Sequence, residues 1–176
     1  MPARHVSVEG KVPGPLEAGL EEVRAELGIA ASFPPEVLKA AEAAARSPKL
    51  PATDLRGLEF VAIDPPGARD IDQAMAIETH SSGWTVWYAI ADVASFVRPG
   101  GEIDEEARRR GQTMYAPHRR YSLHPPVLSE GAASLLAGED RPAQVWRLRL
   151  DDQGLLTEET VTRAVVRNRA QLTYAE

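Results

Sequence analysis

Phe60-Val61-Ala62-Ile63-Asp64-Pro65-Pro66-Gly67-Ala68-Arg69-Asp70-Ile71-Asp72-Gln73-Ala74-Met75-Ala76-Ile77 is the stretch around which the rest of the chain is arranged. Two apolar runs of strand character flank a Pro-Pro-Gly turn. Asp64 closes the first run, and Asp70 and Asp72 open the second. In extended backbone, residues i and i+2 share a face, so Asp70 and Asp72 point the same way while Ile71 turns into the core. The turn folds Asp64 back beside them. Three carboxylates gathered next to apolar sequence repel one another and resist ionising unless a cation offsets the charge. Hard oxygen ligands suit Mg²⁺, which takes one or two carboxylates together with water and substrate phosphates. That chemistry belongs to a phosphoryl-transfer site. A plainer reading stands beside it, because Asp is common at turns for its capping and its tolerance of unusual dihedrals. Spacing alone leaves both open.

Downstream, Ala74–Thr79 reads as a strand, His80-Ser81-Ser82-Gly83 as its turn and Trp84–Ala91 as the return strand. Trp84, Val86, Tyr88 and Ile90 alternate with Trp87, Ala89 and Ala91, so apolar residues occupy both faces and a central, buried strand is expected, with its aromatics in the core. Asp92 follows as a turn cap or a fourth acid. Pro99-Gly100-Gly101 then breaks the chain. The next helix carries Asp104, Glu105 and Glu106 early, Arg108, Arg109 and Arg110 late, and Gly111 as its stop, in the order that complements the helix dipole. Thr113–Tyr121 holds two Tyr, a His and two Arg around Pro117, residues that stack on bases and grip phosphates in single-stranded RNA. His118 and His124 lack partners at ligand spacing. Ser129–Leu136 reads as a short helix or turn. Gln144–Leu150 is a half-buried strand, Asp151-Asp152-Gln153-Gly154 a hairpin turn, and about Thr157–Arg169 a long return strand. Thr173 and Glu176 have capping-box spacing, as at the start of a helix.

Upstream, residues 1–15 read as a lead-in. Leu16, Leu20, Val23 and Leu27 then fall on one helical stripe stopped by Gly28. A second helix is expected over Pro35–Arg46 with Val37, Leu38 and Ala41 facing inward. Ser47–Pro51 is a linker by composition. The pair of helices is too acidic, and too poor in long polar side chains, for a DNA-reading unit. A helical brace against the main domain is expected instead. The domain reading is residues 1–50, helical segment and linker, followed by 51–176. The fold class is α+β, with a mixed, largely antiparallel sheet and flanking helices.

Composition narrows the function. The 176 residues carry a net charge of −6 and have a pI near 5.3. A chain of this balance does not coat nucleic acid, so any RNA contact is local. Arg makes up all but three of the basic residues. No apolar run reaches the ~20 residues of a membrane-spanning helix, and Met1–Ser7 is not followed by the apolar core of a signal peptide. The absence of cysteine rules out disulfides and thiolate metal sites and fits a cytoplasmic protein.

Several ordered motifs resemble the catalytic domain of the ribonuclease II / ribonuclease R family. They are Ile63–Ala74, Tyr88-Ala89-Ile90-Ala91-Asp92-Val93, Glu106–Gly111, Tyr115-Ala116-Pro117 and Leu123-His124-Pro125-Pro126-Val127-Leu128-Ser129, and together they span roughly residues 50–176. The resemblance implies a hydrolytic, Mg²⁺-dependent 3′-to-5′ exoribonuclease that acts on single-stranded RNA and releases nucleoside 5′-monophosphates. Its acidic quartet falls on Asp64, Asp70, Asp72 and Gln73, with one or two metal ions. Asp72 matches the most critical acid, and Asp70 works beside it. Gln73 departs from the pattern, since the family ordinarily has Asp there. An amide oxygen ligates without charge, so one metal position is weakened. A catalytically impaired RNA-binding relative is therefore the competing reading. Tyr115 matches a tyrosine that stacks near the 3′-terminal base, and Arg109 and Arg119 are the accompanying RNA-binding candidates. The resemblance also implies a longer catalytic domain, whose second half supplies further arginines and an aromatic from beyond Glu176. This chain is thus expected to be truncated, to hold the metal-binding half of the site, to turn over RNA weakly alone, and to be monomeric when complete.

Overall fold

The computed structural model describes residues 14–175; expectations for residues 1–13, and for Glu176 as one half of a capping box, fall outside them. Alternation along the strands builds a six-stranded, mostly antiparallel sheet. β1 is Thr53–Asp54, β2 Phe60–Ile63, β3 Gln73–His80 and β4 Gly83–Ala91. A two-stranded ribbon follows, formed by β5 (Met114–Tyr115) and β6 (Arg120–Tyr121). β7, Asp140–Leu150, and β8, Leu156–Leu172, complete the sheet. β4 runs between β3 and β7, with Tyr88 opposite Met75 on one side and Trp146 on the other.

β8 has two partners along its length. Asp140–Leu150 pairs antiparallel with its first part, from Leu156 to Arg167. Its last residues, Asn168 to Leu172, pair parallel with β2, and β1 lies parallel at Ala164 and Val165. Because β2 also pairs with β3, the circuit β2-β3-β4-β7-β8 closes on itself. A ring of so few strands has room only for small side chains inside. Ala62, Ala74, Ala76, Ala89, Ala143 and Ala164 accordingly line it, with Phe60, Ile71, Leu135, Val145 and Val166 as the larger fillers.

The helices build a second core. α2 (Pro35–Arg46) and α3 (Glu102–Arg110) meet the turns Val93–Ser95 and Leu128–Ala132 through Val37, Ala41, Phe96, Ile103, Leu128 and Ala133. The latter turn is a single π-type loop.

Several expectations need correction. Leu38 faces out, 40% exposed, because only one face of α2 meets its neighbours. α1 starts at Gly14, within the expected lead-in, runs to Glu26 and buries no residue. Leu16, Val23 and Leu27 are exposed, since α1 is attached through polar groups instead. Glu21 accepts from the Tyr121 hydroxyl at 3.0 Å, and Arg24 donates to the Ile29 carbonyl. β4 is central but not buried on both faces. Thr85 and Ala89 are inside, whereas Trp84 is 38% exposed, as is Trp146 at 39%, because the helices gather over their own core. The return strand is longer than expected at both ends, since its last residues find β2.

Candidate functional site

Asp64 to Asp72 form an irregular loop, and β3 begins only at Gln73. The Pro-Pro-Gly segment makes a turn closed by Ala68 N–H to Pro65 O at 3.1 Å. Gly67 has φ 80°, the left-handed position that a type II turn requires after proline. Every further clamp on this backbone comes from far along the chain. Asp64 N–H donates to Leu172 O, and Leu135 N–H to Ile71 O. Ala91 N–H donates to Asp72 O at 2.9 Å. The Gln171 amide donates to Ala68 O. Ser134 works in both directions, its Oγ accepting Ile71 N–H at 2.9 Å and donating to Arg69 O at 2.6 Å. Ile71, fully buried, is the plug that holds the loop to the core. This is the alternation expected of Asp70-Ile71-Asp72, achieved without strand pairing.

With the backbone satisfied in this way, the side chains are what the loop presents. The carboxylates of Asp64 and Asp72 take no hydrogen bond from any described residue. Both are pushed above the ordinary aspartate value. For Asp64 the cause is first burial and then the charge of Asp70; for Asp72 it is burial, then Asp70, then Asp64. Asp70 is partnered: its Oδ2 accepts from Arg120 Nη1 at 2.5 Å, and the other arm of Arg120 holds Glu130 Oε1 at 2.5 Å. Gln73 sits exposed at the head of β3, opposite Ile90.

The donor set is all hard oxygen, and its mutual repulsion would be relieved by a cation, so the residues fit Mg²⁺. Among the described residues, no three Asp, Glu, His or Cys side chains are placed to hold one ion together. The fit is thus to an ion held by one or two of these carboxylates, with water and phosphate oxygens completing its shell.

The RNA-binding candidates lie on other elements than the acid loop. Tyr115 is 76% exposed on β5. Arg109 makes a forked pair with Glu106, at 2.8 and 2.6 Å. Arg119 donates to Ala31 O and lies 4.6 Å over the Tyr121 ring. Both arginines thus serve the helical side of the molecule as drawn. Asp92 is fully buried, paired with Arg163 at 2.6 Å and accepting from Ser95 Oγ, so it is a packing residue rather than a fourth acid of the loop. Sequence reasoning passed over Ser134 and Glu130, and took Arg120 only as one of the two loop arginines able to grip phosphate. The Asp70–Arg120 and Arg69–Ser134 contacts span 50 and 65 residues of chain, and no local pattern carries that signal.

The structure thus sets a pinned acidic loop at the head of a mostly antiparallel sheet flanked by helices. Residues 52–176 match the RNB domain, and the chain belongs to that family. It is 41% identical over 124 residues to Ribonuclease R of Escherichia coli (strain K12), covering 70% of this chain and 15% of that protein. The structure of Mycoplasma genitalium RNase R in complex with ribose methylated single-stranded RNA superimposes with a TM-score of 0.79 at 25% identity, over 89% of this chain and 25% of that one. Yeast Ssd1, a pseudonuclease, shares the fold at a TM-score of 0.62 and 18% identity, over 73% of this chain and 17% of that one. The chain therefore spans well under a third of the length of each of these proteins. The α+β class with a largely antiparallel sheet is as the sequence indicated.

Proposed function

We propose that this chain carries the acidic half of a Mg²⁺-dependent hydrolytic 3′-to-5′ exoribonuclease site that acts on single-stranded RNA and releases nucleoside 5′-monophosphates. One observation carries the reading: three carboxylates on a loop whose backbone is tied to distant segments, two of them with no hydrogen-bond partner among the described residues and with raised pKa values. Acids left unpaired beside one another raise the free energy of the fold, and such sites persist where a ligand relieves them. One or two of Asp64, Asp70 and Asp72, with the neutral amide of Gln73 beside them, would hold the metal, water and phosphate oxygens completing its shell. Bound there, Mg²⁺ would supply charge stabilisation for an in-line displacement at phosphorus. Asp72 orients the attacking water, Asp70 fixes the scissile phosphate's side of the site, Tyr115 stacks on the terminal base, and Arg109 and Arg119 take phosphates. Further arginines, from the part of the domain that follows in the longer relatives, complete the charge stabilisation.

The test is a 5′-labelled single-stranded RNA incubated with the complete protein. Stepwise 3′ shortening that needs Mg²⁺, stops with chelator and falls at least ~10²-fold in Asp72→Asn supports the enzyme. Gln73 and the existence of a pseudonuclease on this fold favour one rival, an RNA-binding relative that does not cut. Tight binding with no shortening would establish that rival.

A further inference from the structure

Among the described residues, Arg120 is the only basic side chain paired with any of Asp64, Asp70 and Asp72. It stands on β6, and its register partner across the ribbon is Tyr115 on β5. The ribbon is tied off by Ala116 N–H to Arg119 O at 2.9 Å. One arm of the Arg120 guanidinium reaches the acid loop at Asp70, and the other reaches Glu130 on the π-type turn. A planar fork with two fixed donors sets the relative positions of both carboxylates and of the strand that carries it. Arg120 uses only Oδ2 of Asp70, which leaves Oδ1 on that carboxylate for another ligand. Its neighbour Arg119 turns the opposite way, to the Ala31 carbonyl and the Tyr121 ring. The ribbon is therefore gripped on both sides, and Tyr115 is the exposed side chain left on it.

We propose that Arg120 is a positioning residue that locks the Tyr115 ribbon to the acid loop and so fixes where a base stacked on Tyr115 lies relative to Asp70. The inference takes its ligand, single-stranded RNA, from the function proposed above. The lock itself needs neither metal nor cleavage.

The experiment is a double-mutant cycle on the complete protein, reading the affinity of a short single-stranded oligoribonucleotide by fluorescence anisotropy with chelator present. Stacking of one base is worth about 1–3 kcal/mol, so Tyr115→Ala alone should weaken binding roughly tenfold. In the Arg120→Gln background the same change should cost less than about threefold, because the tyrosine is no longer held at the base; neighbouring residues that act together are non-additive in this way. Arg120→Lys keeps the charge but lacks the planar fork whose two nitrogens reach Asp70 and Glu130 at fixed positions, and should behave like Arg120→Gln. Glu130→Gln removes one arm and should give an intermediate result. Equal losses from Tyr115→Ala in both backgrounds would overturn the proposal, as would no loss in the wild type or full rescue by Lys. An intact melting transition in Arg120→Lys guards against simple unfolding. Because the cycle is read without Mg²⁺, a protein that binds RNA yet fails to shorten it would sink the nuclease reading while leaving this one measurable.

Discussion

Two groups of acids in this molecule have opposite fates. On the helical side, Glu106 is buried and shared between Arg109 and Arg110. Burial pushes its carboxyl up, but the hydrogen bonds from the two guanidinium groups outweigh that and hold it below the usual glutamate range. Glu21, held by Arg24 and Tyr121, is brought down to about 2. On the loop, Asp64 and Asp72 are raised by burial and then by the charge of Asp70 between them in the chain. Both groups are carboxylic acids, and the chain has 17 arginines to pair with them. What differs is that the fold gives Glu106 and Glu21 their partners, whereas on the loop only Asp70 has a basic partner among the described residues and Asp64 and Asp72 have none. Charge pairing that is complete belongs to structure, and charge pairing that is withheld marks where a ligand is expected.

The comparison is broken most forcefully at Glu106. Glu106→Ala would strand Arg110, whose other contacts are the Ser32 and Ser122 carbonyls and the face of Phe33. Removing one partner of a buried pair typically costs ~3–5 kcal/mol, and urea denaturation should show a loss of that order. Asp72→Asn should show none, and a small gain is expected, since it removes repulsion and no bond.

Next in size is the ligand effect. Mg²⁺ at ten times its dissociation constant should stabilise the wild type by about 1.4 kcal/mol, read as a rise in melting temperature. An Asp64→Asn, Asp72→Asn double variant should lose that rise. An equal rise in both proteins would remove the loop from consideration as the metal site.

The pH profiles should then run in opposite senses. A carboxyl raised above its ordinary 3.8 keeps its proton longer in the folded state, so stability falls as pH climbs from 3.8 through the raised value, and Asp72→Asn should flatten that window. Glu106 is depressed, so its stabilisation is present above the ordinary 4.5 and disappears as pH drops through the lowered value. Glu106→Gln should remove the acid-side loss. Smallest of all is Val23→Ser on the exposed stripe of α1, expected within ~0.5 kcal/mol of wild type in the same denaturation experiment.

Much of this was legible in the chain. Period-two alternation located β3, β4, β7 and β8 to within a few residues, and Pro35 with the Ala-rich run gave α2 to the residue. The acid loop could be picked out because Pro65-Pro66-Gly67 concentrates turn signals between two apolar runs. The failures share a cause. The outward stripe of α1, the exposed Leu38 and the half-exposed Trp84 all depend on which neighbour happens to cover a face, and periodicity says only that a face is apolar. The raised acids and the Arg120 bridge depend on partners far away in sequence, such as Ser134, Leu172 and Asp70. Arg109 and Arg119 have partners in the fold, Glu106 and the Ala31 carbonyl, which a bound phosphate would have to share.

The double partnership of β8 also orders events in time. Phe60 finds Asn168, and Asp64 is fastened to Leu172, across more than a hundred residues. Contacts that distant form late in folding, after local hairpins such as β7–β8 are in place. On a ribosome, where residues appear one after another, the acids made early stay unassembled until the end of β8 has emerged. A site built this way takes its shape only after that stretch has been made.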